Sequence, residues 1–292
     1  MCKSLFTRTE LIETLKSFKE GCTPFKVIKT INLSKRVTPE AVPDSEIIYV
    51  LDSSFNPPTK AHFAMALYAM NDWQRTQGLA APARLLLLLA TENADKPSKP
   101  ASFEDRLIMM NMLALELAQQ LDRRCPDHEM PKPQAIDIGV VKFPLFIDKA
   151  NAIAASGVYS LLKTQVFFMG FDTLVRVLDP KYYKDKTLKS LQAFFAANMI
   201  ILALRDSEDG PPVSEQRQFV ERIAAGSLDA IHGYDWWSKR IEVVEKIMDF
   251  GDETVSSTRV RAAAKKRELD ALAQLTPTDI ANYVINQALY LE

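Results

Sequence analysis

The stretch EIIYVLDSSFNPPTKAHFAMALYAM, residues 46–70, decides the fold. Its first seven residues form an apolar run without clean alternation, as expected of a strand buried on both faces. Pro57 and Pro58 stop that strand, and Thr59 is placed as the N-cap of a helix that runs to about residue 76. His62 then falls at the third position after the cap, on the helix's opening turn. The N-terminus of such a helix offers unpaired backbone N–H groups and the positive end of the macrodipole, which together suit phosphate. The same residues also suit a plain strand-turn-helix in which His62 is a satisfied, partly buried histidine.

Working outward, five more short apolar runs read as strands: FKVIKTI (25–31), RLLLLLA (84–90), AIDIG (135–139), QVFFMG (165–170) and NMIILAL (198–204). Helical patterns over 59–76, 102–121 and 148–162 alternate with them, which implies right-handed crossovers and a parallel sheet. Beyond residue 211 the chain reads as helices: SEQRQFVERIAAG, SSTRVRAAAKKRELDALAQL and TPTDIANYVINQALYLE, with a short strand in RIEVVEKI. The expected fold is therefore α/β, a doubly wound parallel sheet with a helical C-terminal extension over about 212–292. Polar, proline-bearing linkers fall at 90–102, 123–134 and 205–214, and no internal repeat is present. In doubly wound sheets ligands bind beyond the carboxyl ends of the strands.

At 292 residues, with 47% apolar and 25% charged residues, the composition is that of a globular protein able to bury a sizeable core. The longest apolar runs, LLLLLA and FFAANMIILAL, are too short to span a bilayer. The N-terminus reads as an amphipathic helix without the apolar core of a signal peptide, so a cytoplasmic or nuclear protein is expected. Cys2, Cys22 and Cys125 lack CxxC spacing, which argues against a disulfide framework and a zinc site and leaves free thiols. His62, His128 and His232 are not spaced for chelation with one another. Net charge is -1, and the one basic cluster, KKR at 265–267, reads as a solvated helix face; neither a nucleic-acid nor a membrane partner is expected.

Only nine glycines are present, and neither GxGxxG nor GxxxxGK[ST] occurs, which weakens dehydrogenase and P-loop readings. Two further stretches could hold phosphate or ribose. SSTRVR (256–261) puts Ser256, Ser257 and Thr258 at a helix start with Arg259 and Arg261 on its first turn. Capping needs one hydroxyl, whereas three hydroxyls and two arginines suit pyrophosphate oxygens; a capped helix with a solvated basic face is the plainer alternative. In VFFMGFDTLVRVLDPKYY (166–183), Gly170 would let a ligand approach the backbone, and Asp172 would cap the helix or accept from ribose hydroxyls.

Together these stretches resemble a known family. SSFNPPTKAH is similar to the GxFNP and (H/T)xGH signature of the nucleotidylyltransferases, and SSTRVR to their ISSTxIR signature. GFDTLVRVLDPKYY matches in spacing the GADLL segment of the nicotinamide mononucleotide adenylyltransferases, whose C-terminal helix TPTDIANYVINQALY resembles. The resemblance runs from about residue 46 to the end, which divides the chain into an N-terminal extension (1–45) and a nucleotidylyltransferase domain (46–292). Thr59 stands where bacterial members carry histidine and eukaryotic members threonine, so the resemblance is to a divergent eukaryotic, fungal-like member.

The resemblance implies attack of a nicotinamide or nicotinic acid mononucleotide phosphate on the α-phosphate of ATP, with pyrophosphate expelled. It implies that His62 donates to an α-phosphate oxygen within a loop of Ser53, Ser54, Phe55 and Thr59. Ser257, Thr258 and Arg261, with Arg259 beside them, would hold the β and γ phosphates, and Gly170 and Asp172 would border the ribose. Lys96 or Lys99 would reach the phosphates from the other side, Lys96 as the catalytic cation, and both would serve the mononucleotide together with Ser54 and Tyr183. Arg106 matches a family arginine with either a binding or a structural role. Mg²⁺ is expected, held mainly by substrate phosphates. Two departures stand out: Ser53 replaces a glycine, and Tyr183 replaces a tryptophan that stacks on the pyridine ring. Trp236 and Trp237 read as core packing. A different phosphate acceptor, such as phosphopantetheine or phosphorylated choline or ethanolamine, and a non-catalytic nucleotide-binding protein of the same fold are the alternatives.

Overall fold

The computed structural model of the chain describes residues 7–33, 45–76, 83–92, 101–124, 135–206, 210–245, 247 and 255–291. In chain order the first half comprises α1 (Arg8–Glu20), β1 (Phe25–Asn32), β2 (Ile47–Asp52), α2 (Lys60–Thr76), β3 (Ala83–Ala90), α3 (Phe103–Arg124), β4 (Ala135–Val141) and α4 (Phe146–Ala154). The second half comprises β5 (Thr164–Gly170), α5 (Phe171–Val177), α6 (Leu191–Ala197), β6 (Met199–Ala203), α7 (Val213–Ala224), β7 (Ile241–Val244), α8 (Ser257–Lys266), α9 (Leu269–Leu275) and α10 (Thr278–Asn286).

The strands form one seven-stranded sheet in the order β1-β4-β3-β2-β5-β6-β7, parallel except for β1, which pairs antiparallel with β4. β2 lies at the centre, with Leu51 paired to Leu87 of β3 and to Phe168 of β5. Its alternate residues divide two cores. Tyr49 and Leu51 pack with α1, α2, α3, α8, α9 and α10, while Ile48 and Val50 pack with α4 to α7. A sheet covered on both faces explains why its strands are continuous apolar runs. Among the described residues no helix is long and apolar enough to cross a membrane.

Each expected strand forms. The residues expected as an N-terminal extension join the same layers: β1 completes one sheet edge, and α1 packs on α3, opened by a capping box between Thr7 and Glu10 and tied by an Arg8–Asp105 ion pair. Asp137 fastens this edge. Fully buried, it accepts from Arg84 Nε (2.9 Å) and Nη2 (2.8 Å), from the Tyr159 hydroxyl (3.0 Å) and from the Thr30 hydroxyl (2.6 Å). A buried carboxylate is tolerated because all these donors meet it.

Two helices differ from expectation. The helix expected over 148–162 begins at Phe146 and ends at Ala154, followed by Gly157 at a φ of 70°. The helix expected to run on from 256 to 275 is two helices: Arg267 adopts a left-handed φ of 58°, and Arg267 and Glu268 N–H groups close back on Ala264 and Ala263 carbonyls. That is a Schellman-type end built without glycine. Lys265 and Lys266 are exposed on its last turn, where cations complement the helix dipole. Trp237 is fully buried, stacked 4.5 Å from Phe195, and so belongs to the core as expected.

Candidate active site

The loop leaving β2 crosses the carboxyl end of the sheet where neighbouring connections diverge, the position at which doubly wound proteins bind ligands. Two prolines give it no N–H groups of their own, and its carbonyls need donors from elsewhere. These come from distant segments. Ser54 O accepts from Arg106 Nη1 (3.2 Å), Asn56 O from Arg261 Nη1 (2.9 Å), Pro57 O from Ser257 Oγ (2.9 Å) and Pro58 O from Thr276 Oγ1 (2.6 Å). The Asn56 side-chain oxygen accepts from Ala101 N–H (3.0 Å) and the Tyr290 hydroxyl (2.9 Å). Phe55, at a φ of 45°, is fully buried with its ring 5.3 Å from that of His62. The loop is thus held from α3, α8, the α9–α10 turn and the C-terminal residues at once.

His62 is fixed by the first turn of α2. Thr59 N–H (3.0 Å) and the Thr59 hydroxyl (2.8 Å) both reach Nδ1, so the hydrogen-bond network makes Nδ1 an acceptor and leaves the ring hydrogen on Nε2. Nε2 lies 2.8 Å from Ser53 Oγ. The pattern is that of a capping box with an imidazole where Glu or Gln usually reaches back, the return contact from His62 N–H to Thr59 Oγ1 being long at 3.5 Å. The residue as a whole is partly buried. Burial, with the Arg205 cation adding to it, pushes the His62 pKa down to about 4, so the imidazole is neutral at physiological pH.

Two cavities open beside this loop. The larger, about 720 Å³, lies over the ends of β2, β5 and β6 and is bordered by Ser53, Thr59, Lys60, His62, Gly170, Asp172, Arg205, Gln216, Ser256 and Ser257. The smaller, about 320 Å³, is bordered by Ser54, Phe146, Lys149, Arg176, Tyr182 and Tyr183. Asp52, Ser53 and Thr173 border both. No atom stands within 4 Å of where a Cβ on Gly170 would lie, so the backbone there faces open space.

The expected site residues are therefore distributed unevenly. Ser53, Thr59, His62, Gly170, Asp172 and Ser257 gather around the larger cavity, and Ser54 and Tyr183 around the smaller. Phe55, expected among the ATP-binding residues, faces the core instead, because its left-handed backbone turns the ring beneath His62. Thr258, Arg259 and Arg261 border neither cavity. Arg261 is turned onto the loop, donating to Asn56 O and, through Nη2, to Thr258 Oγ1 at 3.0 Å. Arg106 is buried, donates to the Ser54 carbonyl and lies over the Phe103 ring at 4.2 Å. Tyr183 is buried and its hydroxyl donates to Val177 O at 2.6 Å, leaving only the ring to face the cavity. Lys96 and Lys99 lie outside the described residues.

Sequence reasoning missed three features of the site. Asp52 forms a buried ion pair with Lys149, whose ammonium lies 4.7 Å from the Phe146 ring. Arg205 stands just beyond β6 and donates to Val255 O at 2.7 Å. Gln216 is buried, with its amide nitrogen held by the Arg205 and Pro211 carbonyls, both at 2.7 Å, and its Oε1 without a partner among the described residues. A charged residue closing or just following an apolar strand was the available signal for Asp52 and Arg205. Among the described residues no group of three or more His, Cys, Asp or Glu side chains could hold a metal ion.

A sheet parallel but for β1 and wound both ways from its central strand, with adjoining cavities at its switch point and the starts of α2, α5 and α8 at the larger one, defines a doubly wound α/β protein with its ligand site at the carboxyl ends of the strands. No family model matches the chain. Two solved structures of Plasmodium falciparum nicotinic acid mononucleotide adenylyltransferase, complexed with NaAD and with APC, are 14% identical to it, with TM-scores of 0.47 and 0.46; each comparison covers 85% of this chain and 100% of the other. A Schizosaccharomyces pombe protein that provisionally bears the name nicotinamide mononucleotide adenylyltransferase is 35% identical over 238 residues, 81% of this chain and 83% of that one. The chain belongs to the nicotinamide mononucleotide adenylyltransferase family.

Proposed function

We propose that this protein joins ATP and a pyridine mononucleotide by attack of the mononucleotide phosphate on the ATP α-phosphate, releasing pyrophosphate. The observation that carries this reading is the pair of cavities meeting at the loop after β2, one large enough for ATP and one for a mononucleotide. ATP occupies the larger, with its triphosphate directed at the start of α8 near Ser257 and its ribose beside Gly170 and Asp172. The mononucleotide occupies the smaller cavity, with its pyridine ring between Phe146 and Tyr183 and its phosphate towards Ser54.

The protein then needs no covalent nucleophile. It aligns the attacking and leaving oxygens and stabilises charge around the α-phosphate of the transferred adenylyl group. His62 is suited to this environment because, neutral at pH 7, it neither repels a cation nor accepts a proton. Magnesium enters as part of the MgATP substrate and offsets the repulsion of two polyanions. The test is incubation of the full chain with MgATP and either nicotinamide or nicotinic acid mononucleotide, with products separated by chromatography. A dinucleotide and pyrophosphate in equal amounts are expected from at least one acceptor; absence of both products with both acceptors would contradict the proposal.

A further inference from the structure

We infer that Ser53, standing between His62 and the substrates, is the residue that donates to the α-phosphoryl oxygen, with His62 acting through it as a positioning residue. The inference rests on the adenylyl-transfer reading above. Three observations lead to it.

First, the Thr59 backbone N–H claims Nδ1 of His62, so the imidazole has a single hydrogen, on Nε2, and that atom is 2.8 Å from Ser53 Oγ. A neutral ring cannot also donate to a phosphate while it holds this bond. By accepting from Nε2, the Ser53 oxygen becomes a stronger donor through its own hydrogen, as in any hydrogen-bond chain. Second, His62 borders only the larger cavity, whereas Ser53 borders both. The reacting phosphorus must lie where the cavities meet, because the mononucleotide in one attacks the α-phosphate of the ATP held in the other. Third, Ser53 is placed firmly: its N–H donates to Leu88 O at 3.2 Å, and the following loop is clamped by Arg106, Arg261 and Ser257. A hydroxyl at this position then lengthens the reach of the histidine by one atom pair.

The step needs no net proton transfer. A phosphate oxygen of the mononucleotide forms a bond to the α-phosphorus, and the bond from that phosphorus to the oxygen bridging to the β-phosphate breaks. The electron pair leaves with pyrophosphate. Ser53 keeps its hydrogen throughout, donating to a non-bridging oxygen whose charge rises in the transition state.

The test compares Ser53→Ala, Ser53→Gly, His62→Ala and the double variant Ser53→Ala/His62→Ala by steady-state kinetics on the folded chain. Ser53→Ala and His62→Ala should each lower kcat by on the order of a hundredfold with little change in KM for ATP, the loss usual for one transition-state donor. The double variant should be no slower than either single one by more than about threefold, because both break one chain. Ser53→Gly should be faster than Ser53→Ala, since it opens the space through which Nε2 can reach the phosphate. Imidazole ¹H–¹⁵N spectra provide a readout independent of turnover: a protonated Nε2 and bare Nδ1, with the Nε2 resonance moved by Ser53→Ala. Turnover by Ser53→Ala at the wild-type rate, multiplying losses in the double variant, or the opposite tautomer would each overturn the relay alone. A wild-type chain that makes no dinucleotide would instead overturn the adenylyl-transfer reading and the catalytic role of Ser53 with it.

Discussion

Acid should destabilise this protein through His62, and the effect can be isolated with His62→Gln. In the folded chain the imidazole stays neutral down to about pH 4, whereas an unfolded histidine protonates near 6.5. Between those values the unfolded state binds more protons, so unfolding becomes easier as pH falls. The stabilisation is fully present above pH 6.5 and is lost progressively until the folded pKa is reached. From 6.5 to about 4, at about 1.4 kcal/mol per pH unit, the wild type should lose about 3 kcal/mol more than a chain lacking the imidazole. That is a large part of the roughly 5–15 kcal/mol typical of a folded domain. Glutamine can accept the Thr59 N–H in the manner of a capping box without titrating. Urea denaturation of both proteins from pH 7 to 4.5, followed through fluorescence of the buried Trp237, gives the difference directly. Curves that stay parallel within about 0.5 kcal/mol, the additivity limit for independent effects, would refute the buried, neutral histidine.

Arg261→Ala should cost about 1.5–3 kcal/mol in a thermal or chemical melt, the range for a charged donor to a carbonyl, because the Asn56 carbonyl loses its guanidinium. ATP affinity measured by calorimetric titration should fall as well, since the loop under the triphosphate is released; a stability loss with unchanged affinity would make the arginine purely structural. Tyr183→Phe should cost about 1 kcal/mol, the value of one hydrogen bond, by leaving the Val177 carbonyl without its donor, and should leave KM for the mononucleotide nearly unchanged. Tyr183→Leu should raise that KM roughly two- to tenfold, as expected for a lost aromatic stack, with KM for ATP unmoved. Equal shifts in both KM values would place the pyridine ring elsewhere.

The sheet was legible because its strands are buried on both faces and therefore unbroken apolar runs; Leu85 to Leu89 could be little else. Its order was not, since nothing in FKVIKTI announces that this strand pairs antiparallel with β4, 100 or more positions away. The break at Arg267 escaped notice because a left-handed residue usually declares itself as glycine or asparagine, and here it is arginine. Within the site, the loop, His62 and Thr59 could be read from local spacing. Their geometry could not. The contacts from Ser257, Arg261, Thr276 and Tyr290 onto the loop span some 200 positions or more, and no local spacing announces them. Asp52 and Lys149 show the same limit, for a strand end and a distant helix meet only once the sheet has formed.

The central claim is that the α-phosphorus of ATP passes to a pyridine mononucleotide, and its most direct test is the fate of a label at that atom. Wild-type chain would be incubated with [α-³²P]ATP, magnesium and each pyridine mononucleotide in turn, and with ATP alone. The label should enter a dinucleotide only when a mononucleotide is present, matched one for one by unlabelled pyrophosphate, with no labelled protein. Label that remains in ATP with every pyridine acceptor, or that appears in ADP or AMP regardless of acceptor, would contradict the account.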